Sequence, residues 1–462
     1  MSLEGALAAN RFGLGAKPGE IEAASTDPKG WLAAQLRQDD SAERFSKLET
    51  TPTLVADLVA RQQACRAKDP DAIKAFAMET RALFLKEMAA RFLNGFETAQ
   101  PFRERLVWFW SNHFAVSISK AQSARFVGAF EREAIRPHAT GKFADMLLAV
   151  EHHPAMQLYL DNAQSIGPDS MAGQLTGKGL NENLGREILE LHTLGVEGGY
   201  SQTDVIALAR ILTGWSIDRG RGRPVARMMN AVAGSVADGG FRFYPARHEP
   251  GAKTLLERNY PQGYDGGVQA LTDLAHHPAT ARHIATKLAI HFIADEPPPD
   301  SVKRLERAFL DSQGDLLKVS EALIAEPAAW QPLPGKVRSP VEYVTAALRI
   351  AGGDRIAMID EKSIGPVIQS ARAMGEMPFS APSPKGWPDS ASAWTGSDAV
   401  LERVEWGHAA AQKLGSQSDP VTLADEALGP LLEPETRTAI QRAASPAQGL
   451  ALLFASPEFQ RR

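Results

Sequence analysis

Residues 70–97 read PDAIKAFAMETRALFLKEMAARFLNGFE. Ala75, Met78, Leu83, Met88 and Phe92 mark a helical pattern rather than an alternating one, and Asp69 with Pro70 supplies a cap and a first-turn proline ahead of it. A second helical pattern starts near Pro52, so residues 52–97 predict a helical hairpin. The same three- and four-residue spacing continues outward. It runs through Pro101–Val116, Ala121–Ile135, Phe143–Ala149 and Ala155–Leu160, then through Asn181–Leu194 and Ser201–Thr213, and again from Gln269 towards the C-terminus. Gly- and Pro-rich turns separate these segments, and short links between helices imply antiparallel neighbours.

The expected fold is mostly α, a large array of antiparallel helix pairs with at most a small β-hairpin near residues 241–245, where Phe241–Tyr244 is the one credible strand. The chain reads as one helical domain over 1–462. A division into a bundle at 1–216 and another at 241–462, with 217–240 as a flexible loop, is the alternative organisation. Arg219, Arg221, Arg223 and Arg227 stand among glycines in that loop, where solvation explains them.

Fifty basic and 55 acidic residues give a net charge of -5 without a dense Lys/Arg block, so nucleic acid is not the expected partner. The single cysteine, Cys65, excludes an intrachain disulfide and a cysteine-rich zinc site, leaving His, Asp and Glu as metal ligands. No stretch approaches the ~20 apolar residues of a membrane span, and residues 1–20 lack a secretory leader. The chain as it stands reads as cytoplasmic, and as exported if a leader has been removed.

The richest chemistry lies in Asn181–His192. At about 100° per residue, Leu184, Ile188 and Leu191 share a buried face, Asn183, Glu187 and Glu190 run along its edge, and His192 falls on the other flank. Carboxylates three apart on a helix can hold a metal in a bundle core. A salt-bridge ladder through Glu182, Arg186 and Glu190 accounts for the same spacing. His113 shares an inward face with Leu106 and Trp110, as a ligand or base, or as a hydrogen-bonded core residue. Arg247-His248-Glu249-Pro250-Gly251-Ala252-Lys253 packs a base, an acid and two cations into one loop. His152-His153 and His276-His277 each precede a proline, and helix ends explain them. Nucleophile-elbow, phosphate-loop, His-Glu-x-x-His and dinucleotide motifs do not occur.

An ordered set of segments resembles a large bacterial family known as domain of unknown function 1800. The set comprises Arg11-Phe12-Gly13-Leu14-Gly15, Trp110-Ser111-Asn112-His113-Phe114, Asn181-Glu182-Asn183 through Gly195, Leu212-Thr213-Gly214-Trp215 and Arg247–Lys253. It continues with His277–Ala281, Arg338-Ser339-Pro340-Val341-Glu342, Lys385-Gly386-Trp387-Pro388 and Ser456-Pro457-Glu458-Phe459. The resemblance spans nearly the whole chain. It implies a mostly helical protein, often encoded beside a sulfatase- or phosphatase-like companion with a twin-arginine export signal, and it carries over no activity and no catalytic residue.

Two functional expectations follow. One is a helical enzyme or ligand-binding protein whose pocket gathers His113, Asn183, Glu187 and His248 for acid–base work, or binds a divalent metal through Glu187, Glu190 and His113. The other is a non-enzymatic accessory or maturation partner of the sulfatase- or phosphatase-like companion.

Overall fold

Several helices start where the sequence places proline behind a capping side chain. Asp69 accepts the Asp71 N–H ahead of α1 (Pro70–Glu97), and α2 follows at Pro101–His113. Two His-His-Pro-Ala segments use one device. His153 and His277 each turn Nδ1 onto the N–H two residues on, at 3.1 Å, and so cap the helix that the proline opens.

The computed structural model describes residues 1–66, 69–218, 234–331, 336–415 and 419–462. It is 63% helical and 4% strand, a mostly α fold. α1 packs against Thr51–Arg66, the hairpin that the spacing predicts. After α2, α3 (Phe143–His152) and α4 (Pro154–Tyr159) lead to α5 (Asn183–Glu187), which continues as a π-turn over Ile188–His192 and packs on α6 (Gln202–Ile211).

The sheet is larger than one hairpin. β1 (Trp215–Ile217), β2 (Val236–Asp238) and β3 (Phe241–Phe243) form an antiparallel sheet with β3 central, in register Trp215↔Phe243 and Val236↔Phe243. β4 (Lys253–Leu255) and β5 (Arg258–Tyr260) pair separately. Three-residue strands are too short to show alternation, which is why only Phe241–Tyr244 was legible. Of the segment 217–240, Ile217 closes β1 and Val236–Asp238 form β2. Its arginines, Arg219, Arg221, Arg223 and Arg227, lie outside the described residues.

α7 (Tyr264–Ala275) packs on α3, and α8 (Pro278–Phe292) comes next. α9 (Pro340–Ala351), opened by a reciprocal Ser339–Glu342 capping box, lies against α1, and α10 (Ser397–Leu414) packs on Pro446–Ala455. One hydrophobic core runs from Leu7 to Phe459. Phe12 joins its ends, with ring centroids 5.5 Å from Phe102, 6.1 Å from Phe292 and 5.2 Å from Trp330. Among the described residues no helix is long and apolar enough to cross a membrane.

Candidate functional site

A π-turn holds more residues than the 3.6 of an α-turn, so side chains beyond Glu187 are rotated away from the places that helical periodicity assigns them. Leu189 and His192 come in to 0% exposure, while Leu191, expected on the buried face, is left half-buried. His192, expected on a flank, is therefore a core residue. Its Nδ1 lies 2.8 Å from Oε1 of Glu151 on α3, and both side chains are fully buried.

His113 ends α2 and donates Nε2–H to the His192 carbonyl at 3.2 Å. Its ring stands 4.5 Å from Phe114, 6.0 Å from His283 and 6.4 Å from His192. Burial, helped by Lys287, His283 and His192, holds it neutral, well below the usual imidazole range. Nδ1 of His113, Nε2 of His192 and Oε2 of Glu151 are buried without a hydrogen-bond partner among the described residues.

Glu187 is half-buried near His192 and Glu190, and burial pushes its carboxyl up. Glu190 bonds Tyr200, while Arg186 meets Glu182 at 3.3 Å, which is one rung of the expected ladder. Asn183 is exposed, and its backbone N–H goes to Asn181 Oδ1 at 2.9 Å. No group of three or more His, Cys, Asp or Glu among the described residues is arranged to hold a metal ion.

His248 belongs to another neighbourhood. Gly263 N–H donates to its Nε2 at 2.9 Å, and its Nδ1 donates to the Thr213 carbonyl at 2.9 Å, so both ring nitrogens are engaged. Burial first, then the charge of Lys253, pushes it down to about 4. The structure therefore joins His113 and Glu187 to His192, leaves Asn183 in solvent, and ties His248 to the strand-rich segment.

A cleft of about 100 Å³ opens elsewhere, where α1, α2 and α9 meet the segment 376–394. Its floor is a paired-charge network. Glu342 on α9 takes Arg105 Nη2 at 2.6 Å on one oxygen, and Arg462 Nε and the Ser339 N–H, each at 2.9 Å, on the other. These cations outweigh its burial and hold the carboxyl down at about 2. His291 on α8 lies 2.5 Å from Asp389 through Nδ1, and its Nε2 receives Arg105 Nε–H at 3.1 Å. An arginine can only donate, so Nδ1 carries the histidine's proton and the ring is neutral, consistent with a value driven to about 4 mainly by burial. Lys336 and Arg462 also pair with Asp389.

Glu376 differs from these. Among the described residues no cation comes within ion-pair distance of it. Its Oε2 accepts the Val341 N–H at 2.9 Å, at the start of α9, and Ser339 reaches the same carboxyl. Some surface at the mouth stays exposed, yet burial pushes Glu376 up to about 7, with Glu342 adding to the shift and Arg91 opposing it. The cleft therefore holds two carboxylates fixed in the ionised form, Glu342 and Asp389, and one carboxyl poised near neutrality, the separation that divides base from acid in proton-transfer sites.

Arg91 on α1 gives Nε to Glu131 at 2.9 Å and lies between Trp108 (4.4 Å) and Phe379 (5.4 Å). Phe379 adopts φ +56, a conformation disfavoured for an aromatic residue. Asn112 pins the outer wall, donating to the Trp387 carbonyl at 3.0 Å and accepting its N–H at 2.8 Å. Gly386 makes that clamp possible: its φ is +82, and a Cβ there would stand 2.4 Å from the Asn112 carbonyl oxygen.

Sequence reasoning missed Glu376, Arg91, Asn112 and Asp389 as site residues. A usable signal was present, because Trp110–Phe114, Arg338–Glu342 and Lys385–Pro388 stand among the quoted segments and all three border this cleft. Glu376 itself sits in a Gly-Glu-Met-Pro turn that carries no motif.

Comparison with curated proteins finds no match, and neither does comparison with solved structures. A family model described as "Protein of unknown function (DUF1800)" matches residues 7–461, essentially the whole chain, which belongs to that family.

Proposed function

We propose that this protein is an enzyme that binds a small molecule in the cleft between α1, α2 and α9 and uses Glu376 to give it a proton. One observation carries this reading: of the three carboxyl groups lining the cleft, Glu342 and Asp389 are held by cations, and Glu376 is not. A carboxyl kept neutral near pH 7 is what general-acid catalysis needs. Aromatic walls from Trp108, Phe379 and Trp387 keep water away from the proton in flight. The volume is below the roughly 300–1,000 Å³ of a pocket that encloses a drug-sized ligand, so the cleft takes a small molecule or one end of a larger one.

The test is a carbon-13 NMR titration of glutamate carboxyls. One resonance, missing in Glu376→Gln, is expected to titrate near 7. A Glu376 resonance titrating below about 5, the range of an ordinary glutamate, refutes the acid role.

The accessory reading, docking onto a sulfatase- or phosphatase-like companion, draws on the exposed apolar side chains Val400, Leu401 and Val404 of α10. Co-purification that survives charge substitutions at these three positions removes that support.

A further inference from the structure

We infer that the cleft recognises the carboxylate of a small organic acid, clamped between the unpaired edge of Arg91 and the carboxyl of Glu376. This rests on the reading of Glu376 as a neutral acid.

Arg91 is only 7% exposed, it lines the cleft, and its Nη1 has no hydrogen-bond partner among the described residues. A buried guanidinium donor left unpaired is costly, and its best acceptor is an anionic oxygen. Glu131 already takes Nε, and the Trp108 and Phe379 rings cover the faces of the guanidinium, so what remains is an in-plane edge. That edge suits a planar oxyanion.

The charged groups felt by Glu376 come from three helices: Arg91 on α1, Glu342 on α9 and Arg403 on α10. As a neutral acid, Glu376 offers O–H to a second oxygen of the ligand; once ionised, it repels the same oxygen. Glu342 and Asp389 stand behind it with their cations already engaged. A dianion such as phosphate meets one spare cationic edge and two fixed carboxylates, whereas a monoanion meets a matching pair of donors. Trp108, Phe379, Trp387 and Trp394 line the remaining space, so the rest of the ligand is compact and apolar.

Isothermal titration calorimetry tests this on the full chain with acetate, propionate, benzoate, benzamide and inorganic phosphate, near pH 6 and near pH 8. At least one carboxylate is expected to bind, about ten-fold more tightly at the lower pH, and benzoate about ten-fold more tightly than benzamide. Glu376→Gln is expected to remove the pH dependence. Arg91→Lys, which retains a cation for Glu131, is expected to weaken carboxylate binding about ten-fold with its melting temperature followed alongside. If Arg91→Lys does not fold, the benzamide and Glu376→Gln arms decide alone. No carboxylate binding, equal affinity for benzamide, tighter binding of phosphate, or a pH slope retained in Glu376→Gln each overturns the inference. If Glu376 still titrates near 7 in the NMR experiment, such a failure leaves the acid role standing; if it is ionised at pH 6, the acid role falls first.

Discussion

The cleft beneath Trp387 and the cluster around His192 use similar parts in opposite ways. Each brings histidine and glutamate together below the surface, and each leaves polar atoms without a protein partner. At His192 the walls are Phe114, the His113 ring and the α5 backbone, and Glu151 and His192 are both at 0% exposure. At the cleft, charge is layered: a floor of mutually paired groups, Glu342, Arg105, Arg462, Asp389 and His291, and above it Glu376, which no cation pairs among the described residues, and Arg91 with Nη1 to spare. Burial alone therefore does not mark a working site. What separates the two is a paired foundation that allows one group to stay unpaired at the edge of solvent.

The largest test of that contrast is Glu151→Ala. Removing one partner of a fully buried pair strands the His192 Nδ1 group and opens a cavity, and such losses run to about 3–5 kcal/mol. Urea unfolding is expected to show a loss of that size, with carboxylate binding at the cleft unchanged in the folded protein. A loss below about 1 kcal/mol, or a coupled loss of binding, breaks the contrast and moves the His192 cluster into the working site.

Glu376→Gln is expected to act in the other direction, with a sign set by pH. The folded carboxyl is raised to about 7 from its ordinary 4.5. The unfolded chain therefore releases this proton more readily, and folding loses stability as pH climbs from about 4.5 through about 7. Glutamine has no proton to hold, so the variant is expected to gain on wild type across that window, by about 3 kcal/mol near pH 8 and almost nothing near pH 4.5. His152, His248 and His291, each pushed down to about 4, work oppositely, because folding loses stability as pH falls below their ordinary 6.5. They are present in both proteins and cancel in the difference. Paired thermal melts from pH 4.5 to 8 measure it, and a flat difference shows that Glu376 is ionised throughout.

Much of the fold was legible because helices announce themselves locally. Proline in the first turn marked the starts of α1 and α8, and three- and four-residue spacing marked the helices as helices. The site was less legible, for three physical reasons. The π-turn at Ile188–His192 breaks the periodicity on which the face assignments for Leu191 and His192 relied. The strands β1 and β2 are too short for a period-two signal. Glu376 acquires its character from Arg91, Ser339 and Glu342, which are distant in sequence, so nothing in its own turn foretells it.

Asn183→Ala is the smallest and most local test. The spacing placed Asn183 on an edge shared with Glu187 and Glu190, whereas the structure leaves its side chain in solvent at the first turn of α5, with the Asn181 side chain capping its backbone N–H. Capping thus survives the substitution, and alanine is the better helix former, so the two effects leave stability within about 0.5 kcal/mol of wild type. Ligand binding at the cleft should not change. If instead the variant loses more than about 1 kcal/mol, or loses binding, then Asn183 reaches a partner through the helix edge, and the boundary between α5 and the cleft has to be redrawn to include it.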